Sequence, residues 1–417
     1  MNLARATRKP WKFVLVVVLS FALARMANAQ STSFNIVTSP NPNPRGNTLN
    51  AVAALNTKEA WAAGFQNDNQ LNGSRTLIER WNGIQWKVVP SPNPGSPPSC
   101  NGQNSGNMLN AIAEVSPSNA WAAGFKFDCR SLLSTMMLRW NGSTWNAAPL
   151  PALHMNDNSA LNGLAALAAN NIYAVGYQPA ANGAVLTLIE HFNGVAWSLV
   201  QSPNANNTGN VLQAISADSP NDVWAVGDQV APNIEVRTLI EHFDGKAWSV
   251  IPSPNVVGGS DLDQNVLTGV RATSPTDVTA IGFIFDAASQ RELTLIEHWD
   301  GISWSVVPSP NQSTAFGAFN TLTSVTGLSS SDLYATGYFA DSATGGQHTA
   351  LIEHFDGTSW SIIPLPAKGL AQHLNGAAAV PNSRMLWAVG AFSVNGDDPE
   401  TGLLQVPQTF VIDTVNG

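Results

Sequence analysis

Charge, cysteine and tyrosine are scarce in this sequence of 417 residues. Charged residues make up 11% of it, and it holds two cysteines and four tyrosines. Beyond the first 24 residues no segment is long and apolar enough to span a bilayer as a helix, which takes about 20 apolar residues. Little charge beside 33 Gly and 26 Pro points to many short strands joined by turns, not to helices. No nucleophile elbow, zinc motif, phosphate loop or dinucleotide fingerprint is present. No catalytic residue, metal ligand or cofactor is therefore expected.

The first 29 residues set themselves apart. Arg5, Arg8, Lys9 and Lys12 precede an apolar run from Phe13 to Ala24, and Ala27-Asn28-Ala29 has the small-x-small pattern of a cleavage site. This is the signature of an export signal over residues 1–29, with residues 30–417 as the mature chain, secreted or held in the periplasm or cell envelope. Removing that segment leaves 14 basic against 28 acidic residues, a net charge of −14. Such a chain is poorly suited to nucleic acid or anionic membranes. In an oxidising compartment an even cysteine count predicts a disulfide between Cys100 and Cys129.

What the chain has in abundance is repetition. An aromatic residue, two small or apolar residues and a glycine recur as Trp61–Gly64, Trp121–Gly124, Tyr173–Gly176, Trp224–Gly227, Tyr334–Gly337 and Trp387–Gly390, with a degenerate copy at Thr279–Gly282. These glycines lie 60, 52, 51, 55, 55 and 53 residues apart, a period that implies a propeller or solenoid. Each repeat holds four strand candidates, here A to D. Strand A begins at a leucine such as Leu49, B carries the aromatic marker, C reads Leu-Ile-Glu-His-Trp/Phe, and D reads Trp-Ser-Val-Val-Pro. Asn-Gly or Asp-Gly separates C from D, the chemistry of a tight turn with positive φ. The last repeat lacks strand D, and residues 33–40 match the missing piece. The expected fold is thus all-β: a seven-bladed β-propeller, four antiparallel strands per blade, its last blade completed by the N-terminal strand, forming one domain over residues 30–417. Such closure removes the unpaired sheet edge of an open array.

The order aromatic-x-x-Gly, strand, then Trp before a Pro-containing loop resembles kelch-type propeller repeats. The Asp-Gly-x-Ser-Trp turn is similar to a shortened Asp-box. A copper oxidase of the kelch type would need a Cys–Tyr cofactor and histidine ligands. A sialidase-like site would need three convergent arginines, and Arg271 is the one non-repeated arginine placed in a strand A.

The repeated Glu-His pair of strand C, as in Glu297-His298, invites an acid–base reading. Adjacent strand residues point to opposite faces, so a pair cannot converge on one substrate atom; a structural role is expected. The periodic tryptophans are expected in the core. The second residue of strand A is uncharged and polar throughout: Asn50, Asn110, Asn162, Gln213, Thr268, Thr323 and Asn375. These seven form the candidate ligand-binding ring at a channel mouth. Capping of local backbone groups is the competing role, and the one Asn and Thr more often play.

Variable residues concentrate in the B–C and D–A loops, on one face. They include Asp157, Asp228, Asp261, Asp263, Asp286, Asp341, Asp397, Asp398, Glu400, His154, His348 and His373, with Phe125, Tyr177, Phe283, Phe316 and Tyr338 as aromatic surface. Asp261 and Asp263 lack the remaining ligands of a calcium loop. Asn72, Asn141, Asn206 and Asn311 stand in N-x-Ser/Thr sequons. The expectation is a monomeric, non-catalytic exported scaffold that binds a protein or glycan through this loop-rich face. The alternative is a secreted glycan hydrolase or lyase with two carboxylates at the channel mouth, about 5–10 Å apart.

Overall fold

The computed structural model describes residues 32–68, 73–95, 105–127, 132–153, 158–231, 234–256, 260–341, 345–396 and 405–414. Every regular element among them is a β-strand. Each sequence repeat folds as an antiparallel meander. In the first repeat strands A to D are Asn47–Asn56, Glu59–Asp68, Gly73–Trp81 and Trp86–Val88. In the fifth they are Gln264–Ser274, Asp277–Asp286, Arg291–Trp299 and Trp304–Val306. Strand A starts one to three residues before the expected leucine and runs on to the A–B turn. Single parallel bridges join strand C of one repeat to strand A of the next, as at Ser74–Gly106, Val185–Gly209 and Val236–Gln264. Hydrogen-bonded sheets therefore extend across neighbouring repeats.

The C–D turn is built as its sequence demands. Gly83, Gly142, Gly194, Gly245, Gly301 and Gly357 have φ between 88° and 96°, where an L side chain is strained. The preceding Asn or Asp accepts the next amides; Asp300 Oδ1, for example, takes Ile302 N at 2.8 Å and Ser303 N at 2.9 Å.

Repeats pack on one another through aromatic clusters. Trp61 of the first repeat meets Trp140 and Trp145 of the second at ring distances of 5.0 and 5.2 Å. Trp121 meets Phe192 and Trp197 at 4.8 and 5.4 Å, and Trp224 meets Trp299 and Trp304 at 5.2 and 5.5 Å. Trp387 of the last repeat meets Trp81 and Trp86 of the first at 5.0 and 5.1 Å. Each such pair adds about 0.5–1.5 kcal/mol beyond the area it buries.

The N-terminal strand Phe34–Val37 pairs antiparallel with the last strand, Gln408–Thr414, in the register Phe34–Thr414 to Val37–Val411. Asn41 Oδ1 accepts Thr409 N at 2.8 Å, as Asn311 Oδ1 accepts Thr294 N at 2.9 Å. Residues 34–41 therefore stand where other repeats have strand D and its Ser-Pro-Asn loop. Phe34 is buried in the cluster holding Tyr334, Phe410 and Ile412. Phe34→Ala is expected to cost about 3–5 kcal/mol, the usual range for a buried Phe truncation, read as a lowered urea midpoint. Unchanged stability on removing residues 30–40 would show that this strand does not hold the two ends together.

Candidate functional site at the central channel

The polar ring is built by a distortion that the sequence pattern does not reveal. In every repeat the A–B register skips one residue after the leucine, and the residue skipped is Asn50, Asn110, Asn162, Gln213, Thr268, Thr323 or Asn375. Each is the extra residue of a β-bulge, a device that re-aims a side chain. The repeated strand-B glycine follows from the same close approach. A Cβ on Gly64 would lie 2.0 Å from the Thr48 carbonyl oxygen, and one on Gly227 2.0 Å from that of Val211.

Six of the seven ring side chains reach the leucine carbonyl of the following repeat. Asn50 donates to Leu109 O at 2.9 Å, Asn110 to Leu161 O at 3.0 Å and Asn162 to Leu212 O at 3.0 Å. Thr268 donates to Leu322 O at 2.6 Å, Thr323 to Leu374 O at 2.8 Å and Asn375 to Leu49 O at 2.9 Å. The last of these leads from the final repeat back to the first. Gln213 departs from the pattern and donates to Asp228 Oδ1 at 3.2 Å. Asp228 stands where five of the other repeats have Phe65, Phe125, Tyr177, Phe283 or Tyr338 and the last has Ala391, and burial raises its carboxyl pKa while Gln213 opposes the shift. The ring lines a cavity of about 230 Å³, together with Val52, Ile112, Leu164, Ile215, Val270, Val325 and Ala377.

The Glu-His pairs divide between two scaffold contacts. The serine of a Ser-Pro-Asn loop donates to the buried glutamate of the next repeat: Ser39 to Glu79 at 2.6 Å, Ser202 to Glu241 at 2.7 Å, Ser253 to Glu297 at 2.6 Å and Ser309 to Glu353 at 2.8 Å. The histidines lie on the opposite face. His242 stacks on Trp224 at 3.9 Å and bonds Asp222 at 2.6 Å; His354 stacks on Tyr334 at 4.4 Å and bonds Asp332 at 2.7 Å. Arg80 and Arg139 place guanidinium groups over Trp61 and Trp121 instead, at 5.0 and 4.9 Å.

Burial pushes the pKa of Glu79, Glu241 and Glu353 up to about 8, and that of Glu297 to about 7, with the serine bonds opposing the shift. Glu190 is the exception in its bonding. Leu150 occupies the serine position of the preceding loop, and neither carboxyl oxygen of the fully buried Glu190 has a hydrogen-bond partner among the described residues. Its pKa is also pushed to about 8 by burial.

On the loop-rich face, Tyr338, His348 and His373 form a cluster that no other repeat contains. His373 stacks on Tyr338 at 4.4 Å, and the two imidazoles lie 4.7 Å apart. Burial, reinforced by His348, pushes the His373 pKa down to about 3. Asp263 is buried and accepts Ser260 N and Ala287 N, each at 3.0 Å, so its carboxylate braces a turn. Among the described residues no group of three or more His, Cys, Asp or Glu could hold a metal ion. Cys100 and Cys129, with the disulfide expected between them, lie outside the described residues. So do Asn72, His154, Asp157, Asp397, Asp398 and Glu400.

A larger cavity than the ring's opens at the opposite mouth, among the A–B turns. It measures about 1030 Å³ and is lined mainly by small residues, with Arg271, Asp218, Ser216 and Arg384 as polar elements. The ring expected from the sequence to hold a ligand lies toward the other mouth. The one signal pointing here is the lone arginine in a strand A.

No protein-family model matches the chain, and no curated protein matches its sequence. Solved structures do resemble it. The structure of YCF48 bound to a D1 peptide aligns with a TM-score of 0.52 at 10% identity, over 94% of this chain and 96% of that one. The structure of YjhT aligns at 0.45 and 10% identity, over 77% and 98%. The six-bladed, fucose-recognising lectin of Aleuria aurantia aligns at 0.43 and 14% identity, over 76% and 97%. The fold is that of a β-propeller.

The buried glutamates make stability depend on pH. In the folded chain they hold protons up to pH 7–8, whereas exposed in the unfolded chain they release them near the ordinary value of 4.5. The folded state binds more protons between those limits, so stability should fall as pH rises from 4.5 to 8. Thermal melts across this range check the slope. Glu190→Leu should recreate the apolar match of Leu365 with Ile412 and raise stability by about 1–3 kcal/mol, the cost of an unsatisfied buried polar group. It should also flatten the slope.

Proposed function

We propose that this chain is a non-catalytic, kelch-like, seven-bladed β-propeller, exported after cleavage behind Ala29 and monomeric, that binds a protein or glycan through its loop-rich face. The observation that carries the reading is that eight of the fifteen exposed large apolar side chains among the described residues lie on this face, whereas the three most exposed, Val195, Ile302 and Ile84, stand singly in separate C–D turns. Ile234, Val256, Leu262, Phe316, Leu370, Val394 and Val406 lie in the B–C and D–A loops, and Phe319 opens strand A of the sixth repeat. Phe316 is 73% exposed, Leu370 65%, Leu262 64% and Ile234 62%. Apolar surface of this kind marks interaction sites, and loops on a rigid scaffold carry specificity.

Two further observations support the reading. Apart from Glu190, the repeated acids and imidazoles are taken up in contacts within and between repeats, and Glu190 is fully buried, which leaves them poor candidates for chemistry. The pairing of residues 34–37 with the final strand, and the Asn375–Leu49 bond, are what a closed ring of seven blades requires. A propeller has also been solved with a peptide bound, a ligand class we extend to this chain as part of the proposal.

The test is a glycan array and an envelope-protein binding screen with the mature protein. Phe316→Ser combined with Leu262→Ser and Leu370→Ser should weaken any captured ligand at least tenfold with Tm unchanged. Turnover of a polysaccharide, without stable binding in either screen, would replace this reading with the hydrolase or lyase.

A further inference from the structure

The fifth repeat is the degenerate one, and its irregularity is local to a single cross-strand pair. In the other repeats the strand-B aromatic faces a small strand-A residue: Ala53 opposite Trp61, Ala113 opposite Trp121, Ala165 opposite Tyr173, Ser216 opposite Trp224, Thr326 opposite Tyr334 and Ala378 opposite Trp387. In the fifth repeat the sizes are exchanged, and Arg271 faces Thr279. The aromatic contact that Trp224 and Trp387 make with the following repeat is thus lost at the junction of repeats five and six.

A side pocket of about 350 Å³ lies at that junction, walled by Arg271, Asp218, Asp277 and the A–B turn of the sixth repeat, Leu328–Ser330. Arg271 and Asp218 also line the 1030 Å³ mouth cavity, so this guanidinium serves both spaces. Arg271 is half-buried, and its Nε–H is buried with no hydrogen-bond partner among the described residues. Burial lowers its pKa and the charge of Asp218 opposes the shift, yet no ion pair joins the two at 4.0 Å or less. A buried donor without an acceptor costs about 1–3 kcal/mol. The planar fork of arginine suits a two-oxygen anion.

The geometry points to a second binding site, at the mouth opposite the loop-rich face, in which Arg271 receives the carboxylate of a ligand entering the channel from the A–B turns. Arg384 at the rim adds positive charge at the entrance. Asp218 works against an anion, so it limits affinity and excludes ligands bearing several charges. No aromatic side chain lines either space, so recognition rests on the carboxylate and on fit among small residues. A free peptide C-terminus and a uronic-acid sugar both carry that group.

Calorimetric titration of the mature protein with three probes tests the site: a pool of N-acetylated pentapeptides with free C-termini, the same pool amidated, and a galacturonate trimer. One of the two carboxylate probes should bind and thereby identify the source, while the amidated pool should not. Arg271→Gln should weaken that binding at least tenfold. Asp218→Asn should tighten it by about three- to tenfold through removal of the opposing charge. Binding by neither carboxylate probe, equal binding of free and amidated peptides, or an Asp218→Asn affinity no tighter than the parent overturns the proposal. Should Arg271→Gln fail to fold, the Asp218 variant and the amidated pool still decide. Ligands of the loop-rich face should bind Arg271→Gln unchanged, which separates this site from that one.

Discussion

Everything in this molecule depends on the contact between one repeat and the next. A four-stranded meander with strands of this length has two broad faces and cannot bury either alone. Three interactions join neighbours, at three distances from the channel. Innermost, the bulged Asn or Thr donates to the next repeat's leucine carbonyl. Further out, the Ser-Pro-Asn serine meets the next repeat's glutamate, and the strand-B aromatic enters a cleft between two aromatics of its neighbour. All point the same way along the chain, so each repeat completes its successor. The last must then meet the first, which Asn375, Ser39 and Trp387 do.

The serine–glutamate contact shows how such a system tolerates variation. Where serine and glutamate occur together the pair is bonded; where Leu365 faces Ile412 both members are apolar. Mismatch occurs around the second repeat alone. There Ser91 keeps only the bond to its own strand-C threonine, Thr76 at 2.7 Å, that Ser202, Ser253 and Ser309 also make, while Glu190 has no hydrogen-bond partner among the described residues. Burial favours a neutral carboxyl there as it does at the serine-bonded glutamates, and a neutral carboxyl is less costly to bury than a charged one.

Much of the architecture could be read from the residues because the repeat signals are local and physically forced. Asp-Gly before Trp dictates its turn, and the Glu-His alternation places the two side chains on opposite faces. The strand-B glycine was visible as a marker, but its cause was not. It depends on how near strand A's carbonyl comes, and a bulge leaves no periodic trace in a one-residue register slip. The polar ring was likewise found as a column of Asn, Gln and Thr, while the bond each makes to a residue some fifty positions away depends on packing between repeats. Loop function was least accessible. The variable acids carried no spacing rule, and Asp263 proved to brace a turn while Asp228 took the amide that Gln213 would otherwise direct to the next repeat.

The two departures from repetition nearest the channel are therefore the informative ones. Asp228 replaces an aromatic in the fourth repeat, and Arg271 faces a lost aromatic in the fifth; the two repeats are adjacent. Each removes a contact that the other repeats use for stability, and each puts charge where the scaffold elsewhere has apolar or neutral side chains. Asp228 interrupts the polar ring on the loop-rich side, and Arg271 interrupts the small-residue lining on the other. At the other junctions the ring side chain bonds the next leucine carbonyl and the strand-B aromatic packs on the next repeat, so these two kinds of contact call for neither change. Charge brought to both ends of one channel, on neighbouring repeats, is what distinguishes this wall from the rest of the ring: Gln213 partners Asp228, whereas the buried Nε–H of Arg271 has no acceptor among the described residues.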